Sequence, residues 1–305
     1  MMGAFDLQVN GYAGVDFNGD LISGEDLRKV HEALEKDGVG GILATFITDD
    51  LEIMCSRMER LVQLRDENRD WCKLIRGIHI EGPFLNETQG YIGAHPVEHA
   101  RRANLGAMKR LLEAAGGLTR IVTLAPERDE GFTVTRFLTE QGICVAGGHC
   151  DPTIEQLKGA IEAGLKMFTH LGNGCPMELN RHDNVIQRVL SLRDDLWISF
   201  IPDGAHVPFA ILKNYLDLVG TDRVVMVTDA IAAAGMGVGD YHFLGRDVRI
   251  GDDLVARSPD KSHLIGSTIT MPRVAENLEK ELGLSEVEIR KVIEENPRRL
   301  IGETR

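Results

Sequence analysis

At 305 residues, with 43% hydrophobic and 27% charged positions, the chain has the composition of a globular protein with a large core, and its length suits one α/β barrel of roughly 200–250 residues or more. The 47 acidic residues exceed the 34 basic ones and give a formal net charge of -13, which opposes nonspecific binding to nucleic acid or an anionic membrane. No apolar run approaches the ~18 residues of a membrane span, and the opening MMGAFDLQVNG lacks a basic segment before an apolar core, so a cytoplasmic location is expected.

Short apolar or β-branched runs alternate with helix-like stretches along the chain. The predicted strands are 5–9 (FDLQV), 41–47 (GILATFI), 74–80 (LIRGIHI), 120–125 (RIVTLA), 143–148 (ICVAGG), 166–170 (KMFTH), 197–202 (WISFIP) and 223–228 (RVVMVT). Between them, SGEDLRKVHEALEKDG reads as a helix with Ser23 as N-cap and Gly38 as C-cap, and DPTIEQLKGAIEAG as one opening on Asp151 and Pro152 and closing on Gly164. Strand–helix repetition at this spacing implies a parallel sheet with right-handed crossovers, and eight repeats predict a single α/β domain over 1–305, a (β/α)8 TIM barrel. After the eighth strand a Gly-rich stretch, about 231–266, reads as a lid or insertion with short β-like pieces, and helical segments at about 268–300 finish the chain. Cys55, Cys72, Cys144, Cys150 and Cys175 are odd in number and lack C-x-x-C spacing, so reduced thiols are expected.

Barrel active sites form at the C-terminal ends of the strands. There the sequence carries Gln8 and Asn10, His79 and Glu81, His149, His170, Asp203 with His206 beyond it, and Asp229. A lone histidine at such a position is ordinarily a hydrogen-bonded core residue, but convergence changes the reading. Glu81, His149 and His170 offer one carboxylate and two imidazoles, a donor set suited to one divalent metal with an open position, Zn²⁺ first and Fe²⁺ or Co²⁺ as alternatives. Asp229 would face the same mouth as acid/base. On a strand, residues two apart share a face, so His79 and Glu81 enter one space; Glu81 sits nearer the rim, and His79 one pleat deeper is expected to bond a neighbouring strand.

Taken in order, DLQVNGYAGVDFNG, GIHIEGPFLN, GAH, TLAPE, GGH, THLGNG, IPDGAHV, VTDAIAAAG, IGSTITMPRVAENL and NPRRLIG resemble the N-acetylglucosamine-6-phosphate deacetylases of the amidohydrolase superfamily over almost the whole chain. The resemblance implies hydrolysis of the acetamide of an amino-sugar phosphate, with Glu81, His149 and His170 as metal ligands and Asp229 as acid/base. It implies His95 as the donor to the oxyanion, and Ala94, Asn173, Gly174, Arg181 and His206 as substrate contacts, with Ile265 and Gly266 in a closing loop. It further implies a homodimer in which Arg181 is supplied across the interface. Where many amidohydrolases carry H-x-H on strand one, this chain has Gln8-x-Asn10, so a single metal and an amide-lined edge are expected, these amides either closing the barrel mouth or touching substrate.

Two departures stand out. The segments that form a small β-sandwich in the usual member are not seen, so a barrel-only form is expected. At the phosphate end the family's Arg-Glu-Pro-Gly is replaced by Arg181-His182-Asp183-Asn184, which reads as altered substrate choice, as a salt bridge of Asp183 to Arg181, or as a helix start capped by Asp183 or Asn184. The alternatives are therefore a related amidohydrolase for another N-acyl sugar or small N-acyl amine, or a non-catalytic sugar-phosphate-binding homologue.

Overall fold

The computed structural model describes residues 3–243, 246–251, 254–257, 264 and 266–303. Eight parallel strands, β1 (Ala4–Val9), β2 (Val39–Ile47), β3 (Ile75–Glu81), β4 (Thr119–Leu124), β5 (Cys144–Gly147), β6 (Leu165–Phe168), β7 (Trp197–Phe200) and β8 (Val224–Met226), pair in chain order. The bridge from Val9 to Ala230 joins the last strand's exit to the first, so the sheet closes into the expected barrel. All eight sequence-derived strands are present, with ends shifted by a few residues.

The pleat explains the mixture of residue types along the strands. On β1, Phe5, Leu7 and Val9 are buried on one face, the Arg298 guanidinium lying 4.6 Å from the Phe5 ring centroid, while Asp6 and Gln8 turn to the barrel interior, where they bond Thr228 and Glu81. On β3, Ile78 and Ile80 alternate with His79 and Glu81 in the same way. Burying each such isoleucine contributes on the order of 1.5–3 kcal/mol, which leaves a few polar interior groups affordable at the strand ends.

The first crossover helix, Gly24–Lys36, starts on a capping box between Ser23 and Asp26 and ends on Asp37, with Gly38 one position later at φ 71°. Ser23 is thus the N-cap as expected, whereas the C-cap is Asp37. The helix Ile154–Glu162 is capped by Thr153, not Asp151, because Gln156 three residues on completes the reciprocal box; Asp151 is engaged elsewhere. Beyond β8, the stretch read as a lid or insertion contains an antiparallel sheet of Gly239–Phe243, Arg246–Ile250 and Ala256–Arg257, and helices Met271–Lys280, Glu286–Arg290 and Asn296–Leu300 complete the described chain. Among the described residues no helix is long and apolar enough to cross a membrane.

Candidate active site

Glu81, the last residue of β3, is the centre of the mouth. His170 Nε2 lies 2.9 Å from Glu81 Oε1, and His149 Nε2 lies 3.4 Å from the same oxygen. The three predicted donors therefore converge, all of them buried. Burial alone would raise the Glu81 carboxyl; the two imidazoles hold it well below the usual carboxylate range. Burial likewise opposes a charge on His170, but the bond to Glu81 wins and raises it.

Backbone shape delivers these side chains. His149, His170 and Asp229 each follow a strand end and have φ of 49°, 31° and 50°, a left-handed conformation costly for residues with a Cβ and one that persists only where surroundings over-determine it. For His149 the surroundings are explicit. Its carbonyl accepts the Asn86 N–H at 3.0 Å, its Nδ1 donates to the Tyr91 carbonyl at 2.8 Å, and its ring rests against Gly93 and Gly174. A Cβ at either glycine would come within 2.9 Å of that ring. Because a carbonyl only accepts, Nδ1 carries a proton in this contact, and Nε2 is the nitrogen turned toward Glu81.

His95 has the opposite tautomer. The Thr48 N–H donates to His95 Nδ1 at 3.4 Å and the Thr48 hydroxyl lies 3.1 Å from it, so the ring proton sits on Nε2. Burial lowers His95 to about 3, aided by the charge of His149, so it stays neutral and acts as a donor. Its ring packs edge-on against His149, with centroids 4.4 Å apart. Glu81, His95 and His149 each bring one ligand-type atom within 4.8 Å of one another, but the His95 tautomer favours His170 as the second imidazole ligand. The donor set fits a divalent cation: a carboxylate between imidazoles, one of them with its Nε2 held toward the carboxylate, in a buried mouth.

Asp229 stands beside this cluster. Burial first, then the charge of Glu81, raises its carboxyl to about 6, and the Asn10 amide opposes this by donating to Oδ1 at 2.7 Å. Gln8 Nε2 donates to Glu81 Oε2 at 3.1 Å. The two amides of strand one thus brace the carboxylates of Glu81 and Asp229. His79 lies one pleat deeper, donating from Nδ1 to the Leu7 carbonyl at 3.0 Å and accepting from the Thr123 hydroxyl at 2.8 Å; burial lowers it to about 4.

A cavity of about 430 Å³ opens above the cluster, lined among others by Ala94, His95, Asn173, His206, Asp229 and Gly266. Asp203 holds His206 through a 2.6 Å contact to Nδ1 and accepts two backbone N–H groups; burial would raise its carboxyl, but these donors keep it low. Gly174 acts through its packing on His149. Ile265 lies outside the described residues. Arg181 is exposed and does not line the cavity, and Asp183 does not bridge to it as one reading had it: Asp183 Oδ1 accepts from Arg188 Nε at 2.6 Å, because the helix that Asn184 caps turns Arg188 back toward it. Sequence reasoning missed Thr48 and Tyr91, which bond Nδ1 of His95 and of His149, Gly93, which leaves room for the His149 ring, and Asp16, which also lines the cavity. Only Gly93 and Asp16 lay inside motifs already singled out.

No family model matches the chain. It is 29% identical over 297 residues to an N-acetylgalactosamine-6-phosphate deacetylase of Escherichia coli, covering 97% of this chain and 76% of that protein. It is 30% identical over 309 residues to the human N-acetylglucosamine-6-phosphate deacetylase, covering 98% and 74%. Among solved structures, an N-acetyl-D-glucosamine-6-phosphate deacetylase variant of Mycobacterium smegmatis, in complex with N-acetyl-D-glucosamine-6-phosphate, superposes with a TM-score of 0.86 at 30% identity, covering 98% of this chain and 77% of that one.

Proposed function

Since this chain belongs to the N-acetylglucosamine-6-phosphate deacetylase family, a family of hydrolases acting on an amide C–N bond, we propose that it removes the acetyl group of an N-acetylated amino-sugar phosphate, N-acetylglucosamine-6-phosphate first, to give acetate and the free amine. The observation that carries this reading is Glu81 Oε1 flanked by His170 Nε2 at 2.9 Å and His149 Nε2 at 3.4 Å, in a cavity that a raised Asp229 carboxyl also faces.

Glu81, His149 and His170 would hold one divalent metal, Zn²⁺ by preference and Fe²⁺ or Co²⁺ as alternatives. A bound cation supplies Lewis acidity toward the amide carbonyl and toward water. Asp229 takes the proton from the attacking water and later hands it to the leaving amine, a double role suited to a carboxyl near 6. His95, neutral and protonated on Nε2, donates to the oxygen on which charge develops. Gln8 and Asn10 keep the two carboxylates aimed.

Among the described residues no Lys or Arg lines the cavity, so phosphate recognition in the subunit's own site falls to hydrogen-bond donors such as Asn173 and His206. The exposure of Arg181 supports its service to a neighbour's site in a homodimer. The same absence of a cation favours one other reading, an N-acyl sugar without phosphate. Free thiols throughout agree with a cytoplasmic enzyme. Acetate release from N-acetylglucosamine-6-phosphate and from the unphosphorylated sugar separates the readings: a strong preference for the phosphate, reduced in Arg181→Ala, upholds the first, and no preference moves the assignment to the second. Asp229→Asn should remove turnover while leaving metal content intact; turnover retained in that variant would reject Asp229 as acid/base.

A further inference from the structure

The cavity contains a third carboxylate that the chemistry above does not use. Asp16 ends a two-stranded hairpin, Gly11–Tyr12 against Val15–Asp16, directly after β1. The hairpin is pinned to the segment after β8 by Gly14 N–H to the Ala232 carbonyl at 2.7 Å and Ala13 N–H to the Ala234 carbonyl at 2.9 Å. Asp16 Oδ1 accepts the Asn18 N–H at 2.8 Å. Asn18 is itself fixed, donating to the Thr45 carbonyl at 3.0 Å and accepting the Ile47 N–H at 2.9 Å. Oδ2 accepts no hydrogen bond among the described residues, and the side chain lines the cavity. Burial raises its carboxyl against the opposing pull of that N–H and of Arg57, the mark of a desolvated charge short of donors.

A carboxylate so held asks for O–H or N–H donors and repels a phosphate. In a closed ring of eight strands, Asp16, beyond β1 and braced on the end of β2, lies across the mouth from Asn173 and Gly174, which follow β6. With the acetamide at Glu81 and the phosphate end on the β6 side, an amino-sugar phosphate turns one ring edge toward Asp16. One such edge carries the 3- and 4-hydroxyls, two donors; the other carries the anomeric hydroxyl and the ring oxygen, an acceptor the carboxylate would repel. Resting on the substrate class proposed above, we infer that Asp16 is a specificity-determining residue that accepts hydrogen bonds from the 3- and 4-hydroxyls of the amino sugar and so distinguishes the C4 epimers.

The test compares kcat and KM of the metal-loaded wild type, Asp16→Ala and Asp16→Asn on N-acetylglucosamine-6-phosphate, its 3-deoxy, 4-deoxy and 1-deoxy analogues, and N-acetylgalactosamine-6-phosphate. A hydrogen bond to a charged group corresponds to roughly a 10–100-fold effect. Asp16→Ala should therefore lose about that factor in kcat/KM on the parent, carried by KM. The loss should shrink with the 3-deoxy or 4-deoxy analogue, persist with the 1-deoxy analogue, and be accompanied by collapse of the preference between epimers. Asp16→Asn, which keeps the acceptor for the Asn18 N–H, should retain wild-type metal content and thermal midpoint and still lose about tenfold in KM. Equal losses on every analogue, a loss cancelled by removing the anomeric hydroxyl, or no loss at all would overturn the inference while leaving the deacetylase reading intact. A wild type inactive on the parent would overturn the substrate reading, and this inference with it, before any variant is made.

Discussion

Replacing Asn10 by alanine tests how the barrel sets the working proton. Asn10 Nδ2 donates to Asp229 Oδ1 at 2.7 Å in a buried site, and Asp229 stands near 6 because burial and the Glu81 charge outweigh this bond and the pull of His170 and His206. A hydrogen bond to a charged group is worth about 1.5–3 kcal/mol, and 1.36 kcal/mol corresponds to one pKa unit. Loss of the amide should therefore raise Asp229 by a further 1–2 units, roughly. The sign follows from the proposed role: as the base, Asp229 would have to be deprotonated to accept the proton from water, so activity should fall as pH falls through its pKa, and Asn10→Ala should move that acid limb to higher pH. A bound cation lowers both curves together, so the difference between variant and wild type is the quantity read. The assay is kcat/KM for acetate release from pH 5 to 9 with metal content measured at each point. An acid limb that stays in place, or moves to lower pH with metal retained, would refute the account of Asn10 as the brace of Asp229.

Glu81→Ala leaves two imidazoles around the centre and should purify without tight metal, whereas a full equivalent found by elemental analysis would reject Glu81 as a ligand. Gly174→Ala introduces a Cβ 2.9 Å from His149 Nδ1 at a φ of 61°, where a side chain costs about 1–2 kcal/mol; by displacing the ring it should weaken metal retention by ~10–100-fold in a chelator competition. His79 is buried and neutral, near 4 against an ordinary 6.5, so the unfolded chain takes up its proton first as pH falls. Stability contributed by this histidine is full above about pH 6.5 and is lost on descent to about 4, on the order of 3 kcal/mol. Denaturant melts of His79→Gln and wild type should accordingly differ in slope across that window, and parallel slopes would contradict the assignment.

The repeat of strands and helices was legible because it is local: apolar runs of strand length, spaced by helix-sized gaps, allow little but a parallel barrel, and closure brings strand ends to one mouth. Glu81, His149, His170 and Asp229 were legible for the same reason, as polar residues interrupting buried strands at one end. The ordering of His79 and Glu81 into deep and rim positions followed from the two-residue pleat. Other features were not local. The helical run was read as opening on Asp151 and Pro152, yet the Thr153–Gln156 box starts that helix and the Asp151 N–H reaches Glu127 at 2.6 Å. Asp183 was weighed as a partner of the adjacent Arg181, but one helical turn brings Arg188 to it.

The sequence by itself determined the barrel, the family and which polar strand ends meet at one mouth, since these depend on periodicity, spacing and residue type. The tertiary structure alone decided which nitrogen of each histidine faces the mouth, through the Tyr91 carbonyl behind His149 and the Thr48 N–H behind His95. It likewise decided that Gln8 and Asn10 serve Glu81 and Asp229, 73 and 219 residues away. Such pairings arise only when the ring closes, because hydrogen bonds select partners by direction within about 3 Å, and chain separation carries no record of that.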